Sequence, residues 1–581
     1  MKFVASLLFT FIPTIVAQNG PPAEALVERM EYADADGAAL VGFLSMPEGA
    51  SAESPVPAIV IIPDWNNVDD YEKLRATMIA QELGWASFAA DIYGAECETG
   101  VPDDMRGTLA GTYRNENPDL FLQRIAAAVD QVAAMPEIDS SKIALVGYCF
   151  GGSGVLMFAI DDSAINDNVA AVVSFHGGLG PHVFDHRNVS STMEGGDMIK
   201  PEILVLSGGN DDASSDIQTL EMTLDNSTNL WEITRYWGIE HAWTVWGGDA
   251  YNEWADIRSW ESMVEFLQEV FNETSFEYSP MGVDGVEAVD YTDATDGKAL
   301  RGYLAQPNAS MYVTPSPAVI IIPNWDGVNT YEQERAKLLS ELGYVAFAAD
   351  IYGADLQNDL SQDVRIEQSS LYRANNVSLF VSRMQTAIDL VKSYDFVDSE
   401  NVAMMGYCFG GTGVVQYAFM GMDGVKVVGA FHGNFEEAFL PAIEGPIVPY
   451  TMILSGGNDG QHGNQTLVEM MLNNGTAEWE ISRWSGVDHG FTEWESDAYN
   501  LNADYRSWSA FLTAMGEKMA TPVRAGDAES PVAAPTDEAP TEGVAPAPTE
   551  GSAPTQGSGS SYLQSGAISS CLVLLLSMTW M

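Results

Sequence analysis

A long internal repeat constrains this chain more than any other feature of its sequence. Five segments of the first half return in the same order in the second half, and these pairs are PAIVIIP and PAVIIIP (57–63 and 317–323), ASFAADIYGA and VAFAADIYGA (86–95 and 345–354), ALVGYCFGGSG and AMMGYCFGGTG (144–154 and 403–413), LSGGNDD and LSGGNDG (206–212 and 454–460), and WEITRYWGIEHAW and WEISRWSGVDHGF (231–243 and 479–491). The repeat length of roughly 250 residues is far above the about 20–50 residues of solenoid units. The sequence therefore predicts two whole domains of one kind in tandem.

Each copy alternates short apolar runs with helical stretches. In the first copy the runs that we predict as buried strands are Ala58–Ile62, Ala86–Ala90, Ile143–Val146, Ala170–Phe175 and Ile203–Leu206. Predicted helices between them include Tyr71–Leu83 and Leu120–Ala134. This alternation predicts an α/β fold with a mostly parallel central sheet and helices on both faces. In such sheets functional groups collect at the carboxyl ends of the strands.

Charge and composition exclude several classes of protein. The chain has 25 Lys and Arg against 82 Asp and Glu, a formal net charge of −57, so it lacks the basic surface that nucleic-acid binding needs. With 46% hydrophobic residues it can bury a large core and is not a disordered chain. Four cysteines in 581 residues exclude a disulfide scaffold.

The two ends of the chain indicate secretion and tethering. A charged start, the apolar run Val4–Val16 and a small residue predict a signal peptide at 1–17. The two domains are then expected at 22–276 and 286–520. We predict an extracellular or cell-surface location.

A Pro-, Thr-, Gly- and Ser-rich stretch at 521–561 predicts a solvated stalk, and an apolar tail follows at 562–581. Small residues ahead of that tail favour a GPI-attachment signal over a short tail anchor. The predicted contact with membrane is through this tail only. Seven Asn-x-Ser/Thr sequons fit a secreted chain, at Asn188, Asn226, Asn272, Asn308, Asn376, Asn464 and Asn474.

The segment GYCFGG, present in both copies, carries the clearest chemical signal. It follows a predicted strand and has the form Gly-x-nucleophile-x-Gly, with Cys149 and Cys408 in the place of the usual serine. A helix N-terminus lowers a thiol pKa, and the backbone N–H groups of Phe150 and Phe409 would face a developing oxyanion. The pattern predicts two cysteine nucleophiles.

A nucleophile elbow needs an acid later in the chain. In the first copy Asp211 and Asp212 compete for this role after the next strand. The second copy decides between them, because Asp459 aligns with Asp211, whereas Gly460 aligns with Asp212. Asp211 and Asp459 are therefore the predicted acids.

The base should be a histidine that follows the acid. Two histidine pairs are shared between the copies, and only His241 and His489 have this chain order. His176 and His432 precede the acid and are interpreted as structural or pocket-lining residues. In the predicted arrangement Asp holds the imidazole tautomer, His takes the thiol proton and Cys attacks.

Each copy resembles dienelactone hydrolase, a cysteine-nucleophile branch of the α/β-hydrolases. The resemblance rests on the combination of IIP-D/N-W, DIYGA, GYCFGG, GGNDD/GGNDG and GxxHxW/F, and it covers residues 28–271 and 287–516. It implies two tandem α/β-hydrolase domains that cleave a cyclic enol-lactone through an acyl-cysteine, without cofactor or metal. The implied triads are Cys149–Asp211–His241 and Cys408–Asp459–His489.

The resemblance also assigns supporting residues. A second oxyanion donor is implied at the backbone N–H of Trp65 and of Trp325. The family places an acid after the first core strand, where it can hold the resting thiol; here that position is Asp64 in one copy and Asn324 in the other. This difference predicts that the second site holds more thiolate at rest.

Two arginines that bind the substrate carboxylate in bacterial members of the family have no counterpart here. Their positions carry Ala95 and Ala354, then Val245 and Glu493. Arg114 and Arg373, each in a Tyr-Arg pair, could substitute for them, although surface ion pairing is the favoured interpretation.

The sequence therefore predicts a hydrolase of small ester or lactone substrates. A non-catalytic surface-binding protein on the same fold, or a hydrolase acting on polysaccharide, remains the alternative. No HExxH motif or spaced Cys/His cluster indicates a metal site.

Overall fold

The protein is described by a computed structural model that covers residues 21–161, 168–180, 183, 201–227, 230–271, 282–357, 360–459, 464–475 and 477–527. Strands of the first copy are β1 Glu28–Ala33, β2 Ala39–Ser45, β3 Val56–Ile62, β4 Ala86–Ala89, β5 Ile138–Tyr148, β6 Val169–Phe175, β7 Glu202–Gly208 and β8 Trp231–Tyr236. Its helices are α1 Asp70–Met78, α2 Asp103–Gly111, α3 Pro118–Ala133, α4 Phe150–Ile160, α5 Ser214–Ser227 and α6 Glu253–Val270.

The second copy repeats this order. Its strands are β9 Val286–Thr292, β10 Ala299–Ala305, β11 Ser316–Ile322, β12 Val345–Ala348, β13 Val397–Tyr407, β14 Val427–Phe431, β15 Tyr450–Gly456 and β16 Trp479–Trp484. Its helices are α7 Thr330–Glu341, α8 Gln362–Ser370, α9 Val377–Lys392, α10 Phe409–Phe419, α11 Gln465–Asn474 and α12 Leu501–Lys518.

The sheet of each copy is mostly parallel, as the sequence predicted. In the first copy the strand order is β1-β2-β4-β3-β5-β6-β7-β8, and β4 through β8 in that order pair in parallel. Strands β1 and β2 add to the β4 edge in antiparallel fashion. The second copy has the same pattern. The α/β-hydrolase fold predicted for the two tandem copies is confirmed.

Helices cover both faces of the sheet because successive strand residues point to opposite sides. On β3, Val60 and Ile62 pack into the core shared with α3 and α4, whereas Ile59 and Ile61 pack into the core shared with α1 and α6. All four of these side chains are fully buried. The near-continuous apolar run is what a parallel strand covered on both faces requires.

The two copies share one continuous 16-stranded sheet, which the sequence did not predict. Strand β8 pairs in antiparallel fashion with its own counterpart β16. Thr234 faces its equivalent Ser482 in this register, and their hydroxyl oxygens lie 2.9 Å apart in a hydrogen bond. A pseudo-twofold axis therefore passes between these two residues. Among the described residues, four of the buried or nearly buried ion pairs that cross the junction form two reciprocal sets, Arg235–Glu469 with Arg483–Glu221 and Arg258–Glu480 with Arg506–Glu232.

The start of the predicted stalk belongs to the second copy. Within residues 521–527, the carbonyl of Val523 accepts a hydrogen bond from the N–H of Val313, and the N–H of Ala525 donates to the carbonyl of Met311, both at 2.8 Å. Backbone groups in this segment therefore pair with the domain instead of with water.

Several predicted segments lie outside the described residues. They are the signal peptide at 1–17, the stalk beyond 527 and the apolar tail at 562–581. Within the part of the chain that the structure covers, no helix has both the length and the apolar character needed to cross a membrane.

Candidate active site

The strand-to-helix turn of GYCFGG has strained geometry in both copies. Cys149 has φ 53° and ψ −110°, and Cys408 has φ 51° and ψ −108°. Positive φ is rare for a residue with a side chain and concentrates at functional sites. The turn closes because the flanking residues are glycines: a Cβ on Gly147 would lie 2.2 Å from the carbonyl oxygen of Gly151.

The structure brings the three predicted catalytic groups of the first copy together. Nε2 of His241 lies 3.0 Å from Sγ of Cys149, and Nδ1 of His241 lies 2.8 Å from Oδ1 of Asp211. The competing Asp212 instead accepts a hydrogen bond from the hydroxyl of Ser207 at 2.9 Å. Asp211, which was chosen over Asp212 by aligning the two copies of the sequence, is thus the aspartate that contacts His241.

The second copy has the same arrangement. Nε2 of His489 lies 3.1 Å from Sγ of Cys408, and Nδ1 of His489 lies 2.9 Å and 3.1 Å from the two carboxylate oxygens of Asp459. The two sites therefore match each other in the order and spacing of their polar groups.

The histidines of both sites favour the protonated state. Burial lowers the pKa of His241, but its hydrogen bonds to Asp211 and Cys149 and their negative charges outweigh burial and raise this pKa to about 10. The pKa of His489 is likewise raised to about 10 by its own aspartate and cysteine, against the effect of burial. The surroundings of both rings thus favour the imidazolium form.

The other shared histidine supports the turn. His176 is fully buried; its Nδ1 accepts a hydrogen bond from the N–H of Cys149 at 3.1 Å, and its Nε2 lies 2.8 Å from the hydroxyl of Thr244. Burial, helped by the charge of the catalytic histidine, lowers the pKa of His176 well below its usual value, so the ring is neutral. Equivalent contacts surround His432, with Thr492 as partner. This placement fits the structural interpretation of both residues.

Thr244 and Thr492 were missed by the sequence reasoning. Each stands three residues after the catalytic histidine in its copy. An alignment of the two copies shows this shared threonine, so it could have been identified from the sequence.

Asp64 is a buried carboxyl at the first site. Burial raises its pKa to about 6, although a hydrogen bond from the N–H of Asn66 at 2.6 Å opposes this shift. The charge of His241 also acts on Asp64, so the carboxyl lies within electrostatic range of the catalytic histidine.

The second site supplies its carboxyl from a different position. Nδ2 of Asn324 donates a hydrogen bond to Oε1 of Glu493 at 3.2 Å. Burial raises the pKa of Glu493, and the charge of His489 acts on it. Glu493 occupies the position of Val245 in the first copy, so the copies exchange which of two positions is acidic. Glu493 therefore brings a carboxyl to the second site, and the difference in resting thiolate between the two sites stays a prediction.

The predicted oxyanion donors lie on the expected elements. Phe150 and Phe409 are the first residues of α4 and α10, where backbone N–H groups have no partner one turn earlier in the helix. Trp65 and Trp325 follow β3 and β11 on the neighbouring loops. The assignment of these four N–H groups stays a prediction.

Arg114 and Arg373 sit on equivalent π-helical turns, Thr112–Glu116 and Leu371–Asn375. Both are half-buried, and the Nε atom of each is buried with no hydrogen-bond partner among the described residues. The guanidinium of Arg373 lies 4.2 Å from the ring centre of Phe439, and the charge of Cys408 acts on it. Surface ion pairing therefore does not describe these arginines in the part of the chain that the structure covers.

Five of the seven sequon asparagines are described, and all five are exposed: Asn226, Asn308, Asn376, Asn464 and Asn474. Asn376 and Asn464 cap α9 and α11 through side-chain oxygen, which leaves the amide nitrogen for a glycan. Asn188 and Asn272 lie outside the described residues.

A mostly parallel sheet with a strained nucleophile-type turn after its central strand defines an α/β-hydrolase, present here as two copies. The chain belongs to the dienelactone hydrolase family, which matches residues 40–271 and 300–519.

Curated relatives are similar to this chain over most of their own length. A putative carboxymethylenebutenolidase of Synechocystis sp. is 25% identical over 221 residues, covering 36% of this chain and 88% of the relative. A probable 2-oxo-3-(5-oxofuran-2-ylidene)propanoate lactonase of Bradyrhizobium sp. is 25% identical over 239 residues, covering 39% of this chain and 92% of the relative. The crystal structure of a dienelactone hydrolase-like promiscuous phosphotriesterase from metagenomic libraries is 24% identical, with a TM-score of 0.35, and covers 40% of this chain and 98% of that one.

Proposed function

We propose that each copy is a cysteine-nucleophile hydrolase that cleaves an ester or lactone through an acyl-cysteine. The observation that carries this proposal is the continuous Asp–His–Cys hydrogen-bonded series at the strained turn, which occurs in both copies. The family membership supports hydrolysis of esters or lactones in general.

The proposed reaction starts from the thiolate–imidazolium pair. The Cys149 thiolate attacks the carbonyl carbon, and the backbone N–H groups of Phe150 and Trp65 stabilise the oxyanion. His241 then donates its proton to the leaving oxygen as the C–O bond breaks, which leaves an acyl-cysteine. In a lactone this oxygen stays attached to the acyl chain as a hydroxyl.

Water completes the cycle. His241, now neutral, takes a proton from the water that attacks the thioester carbonyl. Collapse of the second tetrahedral intermediate releases the carboxylic acid and the thiolate, and the imidazolium is restored beside Asp211. Cys408, His489 and Asp459 perform the same steps in the second copy.

Carboxylate-bearing esters or lactones are the proposed preferred substrates. Arg373 supports this choice, because its buried Nε has no partner among the described residues and its charge lies within range of Cys408. Arg114 occupies the same position in the first copy. A substrate carboxylate beside either guanidinium would supply that partner.

Substitution of the two cysteines tests the function. Against a panel of anionic and neutral esters and lactones, Cys149→Ala and Cys408→Ala should each remove part of the activity. The double variant should lose nearly all of it, since loss of a nucleophile reduces kcat by several orders of magnitude at its own site. Activity retained in the double variant would contradict thiol catalysis. A wild-type ectodomain that hydrolyses nothing in the panel would instead favour the non-catalytic or polysaccharide-active alternatives.

We further propose that the enzyme is secreted and held at the cell surface by a GPI anchor. The apolar start, the seven sequons and the apolar terminus after a Pro/Thr-rich stretch support this location. Treatment of cells with a GPI-specific phospholipase should release the ectodomain. Detection of Trp580 and Met581 in the mature protein would argue for a tail anchor.

A further inference from the structure

The loops that carry the two catalytic acids lie beside the junction between the repeats. We call residues 208–212 the first acid loop and residues 456–459 the second acid loop. The first follows β7 and the second follows β15, and each of these strands is the neighbour of a junction strand. Side chains of the opposite repeat can therefore reach both loops.

A buried arginine connects the first acid loop to the second repeat. Nη2 of Arg235 donates a hydrogen bond to the carbonyl of Asp212 at 2.6 Å. Nη1 of the same side chain lies 2.7 and 2.6 Å from the two carboxylate oxygens of Glu469, on α11 of the second repeat. Only 3% of the Arg235 side chain and 6% of the Glu469 side chain are exposed, so solvent screens this pair weakly.

The second acid loop has the reciprocal connection. Nη2 of Arg483 donates a hydrogen bond to the carbonyl of Gly457 at 3.2 Å. The same guanidinium pairs with Glu221, on α5 of the first repeat. The pseudo-twofold axis relates the two arginines and the two glutamates, and each arginine donates to a different carbonyl of its loop.

A tryptophan of each repeat closes the space behind the acid loop of the other. A Cβ on Gly209 would lie 3.1 Å from Cζ2 of Trp479, and a Cβ on Gly457 would lie 3.3 Å from Cη2 of Trp231. Both indoles are buried. Each loop therefore rests against a rigid ring from the opposite repeat, with no room for an added methyl group without adjustment.

We propose that each repeat positions the catalytic acid of the other: Glu469, through Arg235, fixes the loop of Asp211, and Glu221, through Arg483, fixes the loop of Asp459. The two glutamates are positioning residues, since they act through an arginine and a backbone carbonyl. The inference deepens the proposed function and rests on it in treating the aspartates as catalytic acids. A small displacement of such a carboxylate weakens its hold on the histidine, and misplacement by about 1 Å can reduce a rate about 100-fold.

The first test measures the two thiols without any substrate. In the full chain with both cysteines intact, iodoacetamide labelling is followed against pH, and the Cys149 and Cys408 peptides are quantified separately. Glu469→Gln should move the labelling midpoint of Cys149 to higher pH, because a loosened Asp211 stabilises the imidazolium and its thiolate less. The Cys408 midpoint should stay unchanged in the same molecules, and Glu221→Gln should give the reverse result.

Two further variants serve as controls. Glu469→Asp keeps the charge and should retain most of the normal Cys149 profile. Ser509→Ala removes a hydrogen bond of 2.7 Å to Glu265 that also crosses the junction but touches neither acid loop, and it should change neither profile. If circular dichroism shows that Glu469→Gln is unfolded, Trp479→Phe replaces it. This variant should also shift the labelling midpoint of Cys149 and leave that of Cys408 unchanged.

The second test measures turnover at one site at a time. In a Cys408→Ala chain, Glu469→Gln should lower kcat about tenfold with little change in KM, less than the roughly 100-fold effect of a 1 Å misplacement. If the Cys408→Ala chain itself has no hydrolase activity, the proposed function is contradicted. The labelling experiment then tests the positioning of the acid loops independently of activity. The inference is overturned if each glutamate substitution affects the cysteine of its own repeat, or if both cysteines shift equally.

Discussion

The burial of the Asp64 carboxyl raises its pKa, which its position in the sequence alone does not reveal. The sequence comparison identified it as an acid beside the first thiol, with Asn324 as its neutral counterpart. The structure adds that the half-buried carboxyl of Glu493 accepts a hydrogen bond from Asn324, so the second site also has an additional carboxyl. This could not be predicted, because the contact joins residues 169 positions apart through side chains whose directions the sequence pattern does not specify.

The buried carboxyl of Asp64 should make stability depend on pH. Its pKa in the folded protein, about 6, lies above the ordinary aspartate value of 3.8. The stability that this group contributes is therefore present at low pH and is lost as the pH rises from about 4 through about 6. Asp64→Asn should raise the free energy of unfolding by about 1–3 kcal/mol at pH 7.5, since two pKa units correspond to about 3 kcal/mol at most.

Urea denaturation of wild type and variant at pH 7.5 and near pH 4 measures this effect. The difference between them should shrink toward zero at the lower pH. An equal difference at both pH values would show that the effect does not arise from ionisation of Asp64. Asn324 demonstrates that asparagine fits the position, because it accepts the equivalent hydrogen bond from Asp326 at 2.9 Å.

The strand-turn-helix unit around each cysteine is the element that the sequence predicted best. An apolar strand followed by GYCFGG specifies its own geometry, since the close approach of backbone at Gly147 and Gly151 tolerates no side chain. The acid and the histidine followed from their order along the chain. By contrast, the sequence did not predict that β8 pairs with β16. Neither periodicity nor composition indicates whether a strand is the last of its sheet or pairs with a strand of the other copy.

Replacement of a turn glycine should therefore be severely destabilising. A Cβ on Gly151 would lie 2.1 Å from the carbonyl oxygen of Ile62, so Gly151→Ala must displace backbone. We expect a loss of about 3 kcal/mol or more, as for other severe packing and strain effects. A Cβ on Gly107, in α2, would meet nothing within 4 Å, and Gly107→Ala should be neutral or stabilise by up to about 1 kcal/mol.

Thermal denaturation of the two glycine variants checks this contrast. Comparable melting temperatures for Gly151→Ala and Gly107→Ala would contradict the close approach of strand and helix at the turn.

At the scale of the whole molecule, the shared sheet should make the two repeats unfold together. Separation would expose the edges of β8 and β16 and leave the buried charges of four reciprocal ion pairs without partners. Scanning calorimetry of the ectodomain should show one transition with equal calorimetric and van't Hoff enthalpies. Ile233→Pro, which removes a strand donor at the junction, should split or broaden it. Two well-separated transitions in the unmodified protein would contradict this coupling.

The pseudo-twofold axis also changes what mutation can do to this protein. In a dimer of identical chains every substitution appears on both sides of the axis, so a change that benefits one side is imposed on the other. Here each side is encoded separately, and even the pair on the axis has diverged, with Thr234 facing Ser482. The covalent link also keeps the halves together at any dilution. Selection can therefore specialise one active site for a new substrate while its twin preserves the old reaction and continues to support the shared structure.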